Sequence, residues 1–175
     1  MTRKLIAGNW KMNGSLAANQ ALLSGIQTGL PTALGGKHAD VVVCVPAIYV
    51  AQVQQLAHNT GIALGVQDVS VHAQGAYTGE ISAAMLKDFG VRYAIVGHSE
   101  RRQHFGETDE SAGNRLASLL AQGMEVIFCI GETLSERRSG KTEATVLHQL
   151  NWAFKVAQAR KQPWDWSRLP IAYEP

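Results

Sequence analysis

A chain of 175 residues, 46% apolar and 17% charged, is long enough for one sizeable core and reads as a single domain over residues 1–175. Its formal charge of +2 leaves no basic stripe and no acidic tail, which argues against nucleic acid or a membrane surface as a partner. Cys44 and Cys129 sit alone in apolar stretches, the pattern of reduced, buried thiols in a cytoplasmic protein, and no metal-ligand spacing is present. The first six residues are too poor in apolar groups for a signal peptide and no run approaches a membrane span, so a soluble protein is expected.

In chain order, Leu5-Ile6-Ala7-Gly8 is a short apolar strand that ends at Asn9-Trp10-Lys11. Ser15 is an N-cap for a helix with Leu16, Leu23, Ile26 and Leu30 on one face, and Pro31 is its expected stop. Val41 to Val45 is a β-branched strand. Pro46 opens a second helix, with Tyr49, Val53 and Leu56 on one face. Ile62 to Val66 is a third strand, followed by a Gly-spaced loop from Gln67 to Gly79 and a short helix over 82–89.

Tyr93 to Val96 is the fourth strand, and it leads at once into Gly97-His98-Ser99-Glu100-Arg101-Arg102. A helix over about 109–122 has acids in its first turn and Gly123 as its stop. Val126 to Ile130 is the fifth strand. A long helix over roughly 142–160 carries Val146, Leu150, Phe154 and Ala157, with Trp164 and Trp166 beyond it to cover the bottom of the sheet. The sixth strand, Leu169 to Tyr173, is expected to be buried and delivers Glu174, which Pro175 holds in extended backbone.

Strand and helix alternate six times with no hairpin signal, and the strands are apolar throughout rather than alternating. That is the pattern of parallel strands covered by helices. An open dinucleotide-binding sheet would carry G-x-G-x-x-G after its first strand; Gly8-Asn9-Trp10-Lys11 has one glycine and no cradle. A barrel is favoured.

In parallel α/β folds, chemistry gathers at the carboxyl ends of the strands. Strand one brings Asn9 and Lys11 there, strand four His98, Ser99 and Glu100, and strand six Glu174. This set suits proton abstraction beside a carbonyl, with Glu174 as base, His98 donating to the carbonyl oxygen, and Lys11 with Asn9 stabilising an enediolate. Each residue also has a plainer reading. Lys11 and the Glu100-Arg101-Arg102 cluster suit a solvated surface, Asn9 a turn, and His98 a helix entry. Ser99 suits the cap of a short turn, and Glu100 also suits a buttress for the lysine. Complementary groups at three strand ends are what the plainer readings leave unexplained. A serine-hydrolase elbow is disfavoured, because G-x-S-x-G would need glycine where Arg101 stands.

Five segments, Ala7 to Asn13, Gly75 to Glu80, Ile95 to Arg102, Cys129 to Glu132 and Ala172 to Pro175, resemble the signatures of the triosephosphate isomerase family in order and spacing. The resemblance implies an eight-stranded TIM barrel and interconversion of dihydroxyacetone phosphate with D-glyceraldehyde 3-phosphate without a cofactor. It implies Glu174 as base, His98 as electrophile, and Asn9 and Lys11 as substrate contacts. It also implies a homodimer in which the loop holding Tyr77 and Thr78 reaches the Lys11 region of the partner. A barrel of that kind needs about 250 residues, so six strands are expected to form an incomplete one that exposes Ile6 and Ile171 and is inactive alone.

Overall fold

The computed structural model describes residues 4–160 and 165–175. Two compact units make it up, one running to Gln67 and including Leu86–Tyr93, the other comprising Asp68–Met85 and Ala94–Pro175. In the first unit the apolar runs become β1 (Leu5–Asn9), β2 (Asp40–Val45) and β3 (Ile62–Val66), each parallel to the next, with Ala7 beside Val42 and Val43 beside Leu64. Val42, Cys44 and Val45 are fully buried, because β2 is paired on both edges and packed on both faces. Gly65 keeps this packing tight: a Cβ there would lie 2.7 Å from Cys44 Sγ.

Helix α1 (Leu16–Leu34) starts where Ser15 accepts the Ala18 N–H at 3.1 Å. It does not stop at Pro31 as expected. Proline removes one N–H and crowds the carbonyl four residues back, yet the helix continues for three more residues. It ends at left-handed Gly35, whose N–H reaches Pro31 O at 3.2 Å. The expected apolar stripe is also shifted. Leu16 is exposed and Asn19 is buried in its stead, bonded to Gln52 of α2 (Val50–Ala57) at 3.0 Å. Pro46 opens a 3-10 turn over Ala47–Tyr49 rather than α2 itself, and the Tyr49 hydroxyl donates to Gly14 O at 3.0 Å.

The second unit follows the same logic. Helix α3 (Ala83–Asp88) and β4 (Tyr93–Val96) straddle the division between units. Beyond them come α4 (Ser99–His104), α5 (Asp109–Ala121), β5 (Glu125–Ile130), α6 (Leu134–Arg138), α7 (Thr142–Ala159) and β6 (Ile171–Tyr173). Thr108 and Ser111 cap α5 reciprocally. Helices α5 and α7 approach so closely that a Cβ on Gly113 would come within 3.0 Å of Val156. β5 is buried along its whole length and pairs in parallel with β6, Phe128 beside Ile171 and Ile130 beside Tyr173.

β6 corrects the expectation of a buried strand. It is shorter than expected, and Ile171 and Tyr173 are 44% and 50% exposed, while Ile6 of β1 is 51% exposed. The exposure expected for Ile6 and Ile171 is thus present. Trp164 and the side chain of Ala157 lie outside the described residues. Trp166 packs edge-on against Phe154 of α7, ring centroids 5.0 Å apart. It therefore lies against α7. Among the described residues, no helix is long and apolar enough to cross a membrane.

Candidate active site

His98 follows β4 through Gly97, and the backbone there is held by ionic groups. Gly97 has φ +78°, and a Cβ on it would lie 2.8 Å from the backbone oxygen of Cys129. Only glycine fits. Its N–H donates to Glu107 Oε1 at 2.7 Å, and its carbonyl accepts Arg102 Nε at 2.7 Å. Glu107 is buried, and its second oxygen takes Arg101 Nε at 2.8 Å. Arg101 and Arg115 both reach Asp68, at 2.7 and 3.0 Å, and Arg102 also pairs with Asp109. Burial pushes the Asp68 carboxyl up, against the pull of the two guanidinium groups. Arg101 and Arg102 are therefore mostly buried members of a network and not a solvated cluster. A buried carboxylate such as Glu107 is tolerable only with such partners.

Helix α4 begins differently from the expectation that Ser99 caps it. The cap is His98 itself, whose Nδ1 accepts the Glu100 N–H at 3.2 Å. The Glu100 carboxylate lies 3.6 Å from the same nitrogen, too far for a hydrogen bond. The backbone contact therefore decides the ring's state: with Nδ1 accepting, the proton of the neutral imidazole sits on Nε2. Nε2 faces Glu174 Oε1 at 3.4 Å, and Ser99 Oγ donates to Glu174 Oε2 at 3.4 Å. Both contacts are long, so the carboxylate is aimed but not clamped.

The main chain of Glu174 continues the β5–β6 ladder, its N–H donating to Ile130 O at 2.9 Å. Beside it, Tyr173 gives its hydroxyl to both oxygens of buried Glu132, at 3.0 and 3.1 Å, and Thr142 adds a third bond at 3.0 Å. Glu132 is held below its ordinary 4.5 first by its own backbone N–H. Burial opposes this, and the Thr142 and Tyr173 hydroxyls and Arg137 assist. The Tyr173 phenol is pushed up by burial and by that same carboxylate. A carboxyl depressed in the folded state stabilises above its unfolded pKa, and that stability is lost as pH falls through the folded value. Denaturant midpoints are thus expected to drop as pH falls below about 4.5. Glu132→Gln is expected to be less stable at neutral pH and to show a smaller acid drop; an unchanged acid drop counts against this role.

Asn9 and Lys11 lie in the first unit, Asn9 as the last residue of β1 and Lys11 two residues beyond it. Asn9 Oδ1 accepts the Lys11 N–H at 3.0 Å, and Lys11 takes the left-handed conformation, φ 51°. Its carbonyl accepts Gln67 Nε2 at 2.9 Å, and that amide also bonds Cys44 O at 3.0 Å. A non-glycine residue in this region costs of order 1–3 kcal/mol and is retained only where surroundings enforce it. Tyr77 and Thr78 lie in an exposed loop of the second unit, where the Tyr77 ring stacks on His72 at 3.6 Å.

Sequence reasoning missed Glu107, Gly131 and Gln149. The signal for Glu107 was a lone acid between Gly106 and Thr108, which reads as loop. Gly131 lay within the segment Cys129 to Glu132 but was given no role, and Gln149 carried no signal that spacing would reveal.

Successive β/α units with polar groups following the strands are the organisation of the parallel α/β, barrel-forming class. The family model described as triosephosphate isomerase matches residues 4–175. The triosephosphate isomerase of Paracidovorax citrulli (strain AAC00-1) is 57% identical over 173 residues, 99% of this chain and 66% of that protein. Those of Delftia acidovorans (strain DSM 14801 / SPH-1) and Albidiferax ferrireducens (strain ATCC BAA-621 / DSM 15236 / T118) are each 51% identical. Both matches cover 100% of this chain and 67% of the relative. This chain belongs to the triosephosphate isomerase family. It spans about two thirds of the length of the curated relatives it matches.

Proposed function

We propose that this chain provides, as one carboxyl-terminally incomplete domain, the amino-terminal six strand units of a triosephosphate isomerase whose intact form interconverts dihydroxyacetone phosphate and D-glyceraldehyde 3-phosphate in the cytoplasm. The observation that carries the reading is the His98 Nε2 to Glu174 Oε1 pair, 3.4 Å apart, with Nδ1 engaged by the Glu100 N–H. Glu174 removes a proton from the carbon beside the substrate carbonyl. The C–H electron pair becomes the new C=C bond, and the carbonyl π pair moves to oxygen. Nε2–H donates to that oxygen as charge develops, and Lys11 and Asn9 contact the substrate. His98 Nε2 gives its proton to that oxygen and takes up the proton of the neighbouring hydroxyl, whose O–H pair becomes the new C=O bond while the C=C pair takes the proton back from Glu174 on the former carbonyl carbon. Ser99 donates to the carboxylate through its 3.4 Å contact, and the Glu100 N–H donates to His98 Nδ1.

The intact enzyme is read as a homodimer in which Tyr77 and Thr78 meet the Lys11 region of the other subunit. A second reading, that this chain is catalytically incompetent without the remaining third, is favoured by its span of 66–67% of its relatives. The phosphate is the strongest handle on a triose phosphate. Binding energy from such a non-reacting group is what organises the reacting ones. The test is a coupled isomerase assay on the chain alone and on the chain joined to the carboxyl-terminal third of the Paracidovorax citrulli relative. Turnover by the joined protein and negligible turnover by the chain alone are expected. A folded joined protein without isomerase activity overturns the proposal.

A further inference from the structure

Glu174 rests on a glycine, and that glycine is gripped by a side chain from another element. Gly131 is the first residue past β5. A Cβ on it would lie 1.9 Å from the Glu174 carbonyl oxygen and 2.8 Å from the carbonyl carbon, so the bare Cα is what lets the main chain of Glu174 settle there. Gln149, buried midway along α7, accepts the Gly131 N–H on Oε1 at 2.9 Å and donates Nε2–H to the Gly131 carbonyl at 3.0 Å. A primary amide presents a donor and an acceptor in the order needed to hold both polar groups of one residue. Glutamate of the same length lacks the donor, and methionine lacks both.

We propose that Gln149 is a positioning residue for Glu174. By fixing the Gly131 backbone it fixes the surface against which the Glu174 main chain lies, while the 2.9 Å bond from Glu174 N–H to Ile130 O fixes the other side. The contacts from His98 and Ser99 are both 3.4 Å long, so placement of the carboxylate depends also on the main chain beneath it. Displacing a reacting group by about 1 Å costs on the order of a hundredfold in rate. Two bonds to a buried backbone stretch can hold a residue to within that tolerance where packing alone would not. The kinetic half of this inference rests on the proposed isomerase activity; the structural half does not.

The experiment uses the chain joined to the carboxyl-terminal third of its relative, as wild type, Gln149→Met and Gln149→Glu. Leu116→Ala in α5 serves as a destabilised reference. Amide exchange is followed at Gly131, Glu174 and Phe128, and kcat and KM are measured. Gln149→Met is expected to speed exchange at Gly131 and Glu174 about tenfold or more relative to Phe128. Its kcat is expected to fall roughly tenfold to a hundredfold with KM within about a factor of two, as for an interaction felt only in the reacting state. Gln149→Glu, which keeps the acceptor, is expected to lie between it and wild type, and it carries the same comparison should the methionine variant not fold. Leu116→Ala is expected to lose stability with neither local change. Unchanged Glu174 exchange, or a kcat loss no larger than that of Leu116→Ala, overturns the proposal. If the wild-type joined protein folds without isomerase activity, the functional reading fails while the exchange data still decide the role of Gln149.

Discussion

Glu174→Ala, made in the chain joined to its relative's carboxyl-terminal third, is expected to lower turnover by roughly two to four orders of magnitude, the range for a positioned acid–base group. The fold has little at stake in this side chain: it is more than one-third exposed, and its two side-chain contacts are both 3.4 Å long. Thermal and denaturant midpoints are therefore expected to stay close to wild type, which separates a chemical loss from a folding loss. His98→Ala is expected to cost on the order of 3 kcal/mol of transition-state stabilisation. It also removes the cap on the Glu100 N–H, so part of the loss is expected to appear as fraying of α4. Because the two groups face each other, the double variant is expected to lose less than the sum of the two singles. Near wild-type turnover for Glu174→Ala removes it from the mechanism.

Gly97→Ala is expected to be strongly destabilising. The residue sits at φ +78°, where an L side chain costs roughly 1–2 kcal/mol. The new Cβ would meet the Cys129 carbonyl at 2.8 Å, and relief requires moving β5 or swinging the β4 exit. Overpacking of this kind typically costs about 1–3 kcal/mol, so a total loss of roughly 2–5 kcal/mol in denaturant unfolding is expected. A variant that folds is expected to have lost alignment between His98 and Glu174, since Glu107 and Arg102 grip the Gly97 peptide directly ahead of the imidazole. Stability within about 0.5 kcal/mol of wild type, the range of an ordinary surface change, shows that the turn relaxes freely.

The strands were legible because their residues leave few alternatives. Val41 to Val45 puts β-branched side chains at four of five positions, with Cys44 between them, and forms β2 with one more residue at its start. The imidazole and the carboxylate were legible as candidates because each is the first chemically useful group after an apolar strand. What lay beyond reach was the support. Arg101 and Arg102 look like surface charges until the chain folds Glu107, Asp68 and Asp109 against them, and no local spacing announces those pairings. Pro31 was read as a stop because proline costs a helix one N–H and crowds its backbone, yet α1 continues over exposed Thr32 and Ala33 to the bond from Gly35 N–H to Pro31 O. The expected burial of β6 rested on composition alone. Burial depends on what lies alongside, and Ile171 and Tyr173 have only part of their surface covered.

The two buried thiols give this protein a pair of internal clocks. Cys44 belongs to the first unit and Cys129 to the second, and both are almost wholly shielded from solvent. Burial pushes the Cys44 thiol up to about 12, and only a thiolate attacks an alkylating reagent at an appreciable rate. Modification of the native chain must therefore wait for a transient opening that both wets the sulfur and returns its acidity to normal. Under conditions where closing outruns reaction, the labelling rate at each cysteine reports the free energy of the opening that exposes it. Equal rates at the two sulfurs, rising together with added denaturant, identify one cooperative event. Separate rates identify two, and assign each to its own half of the molecule without a single introduced probe.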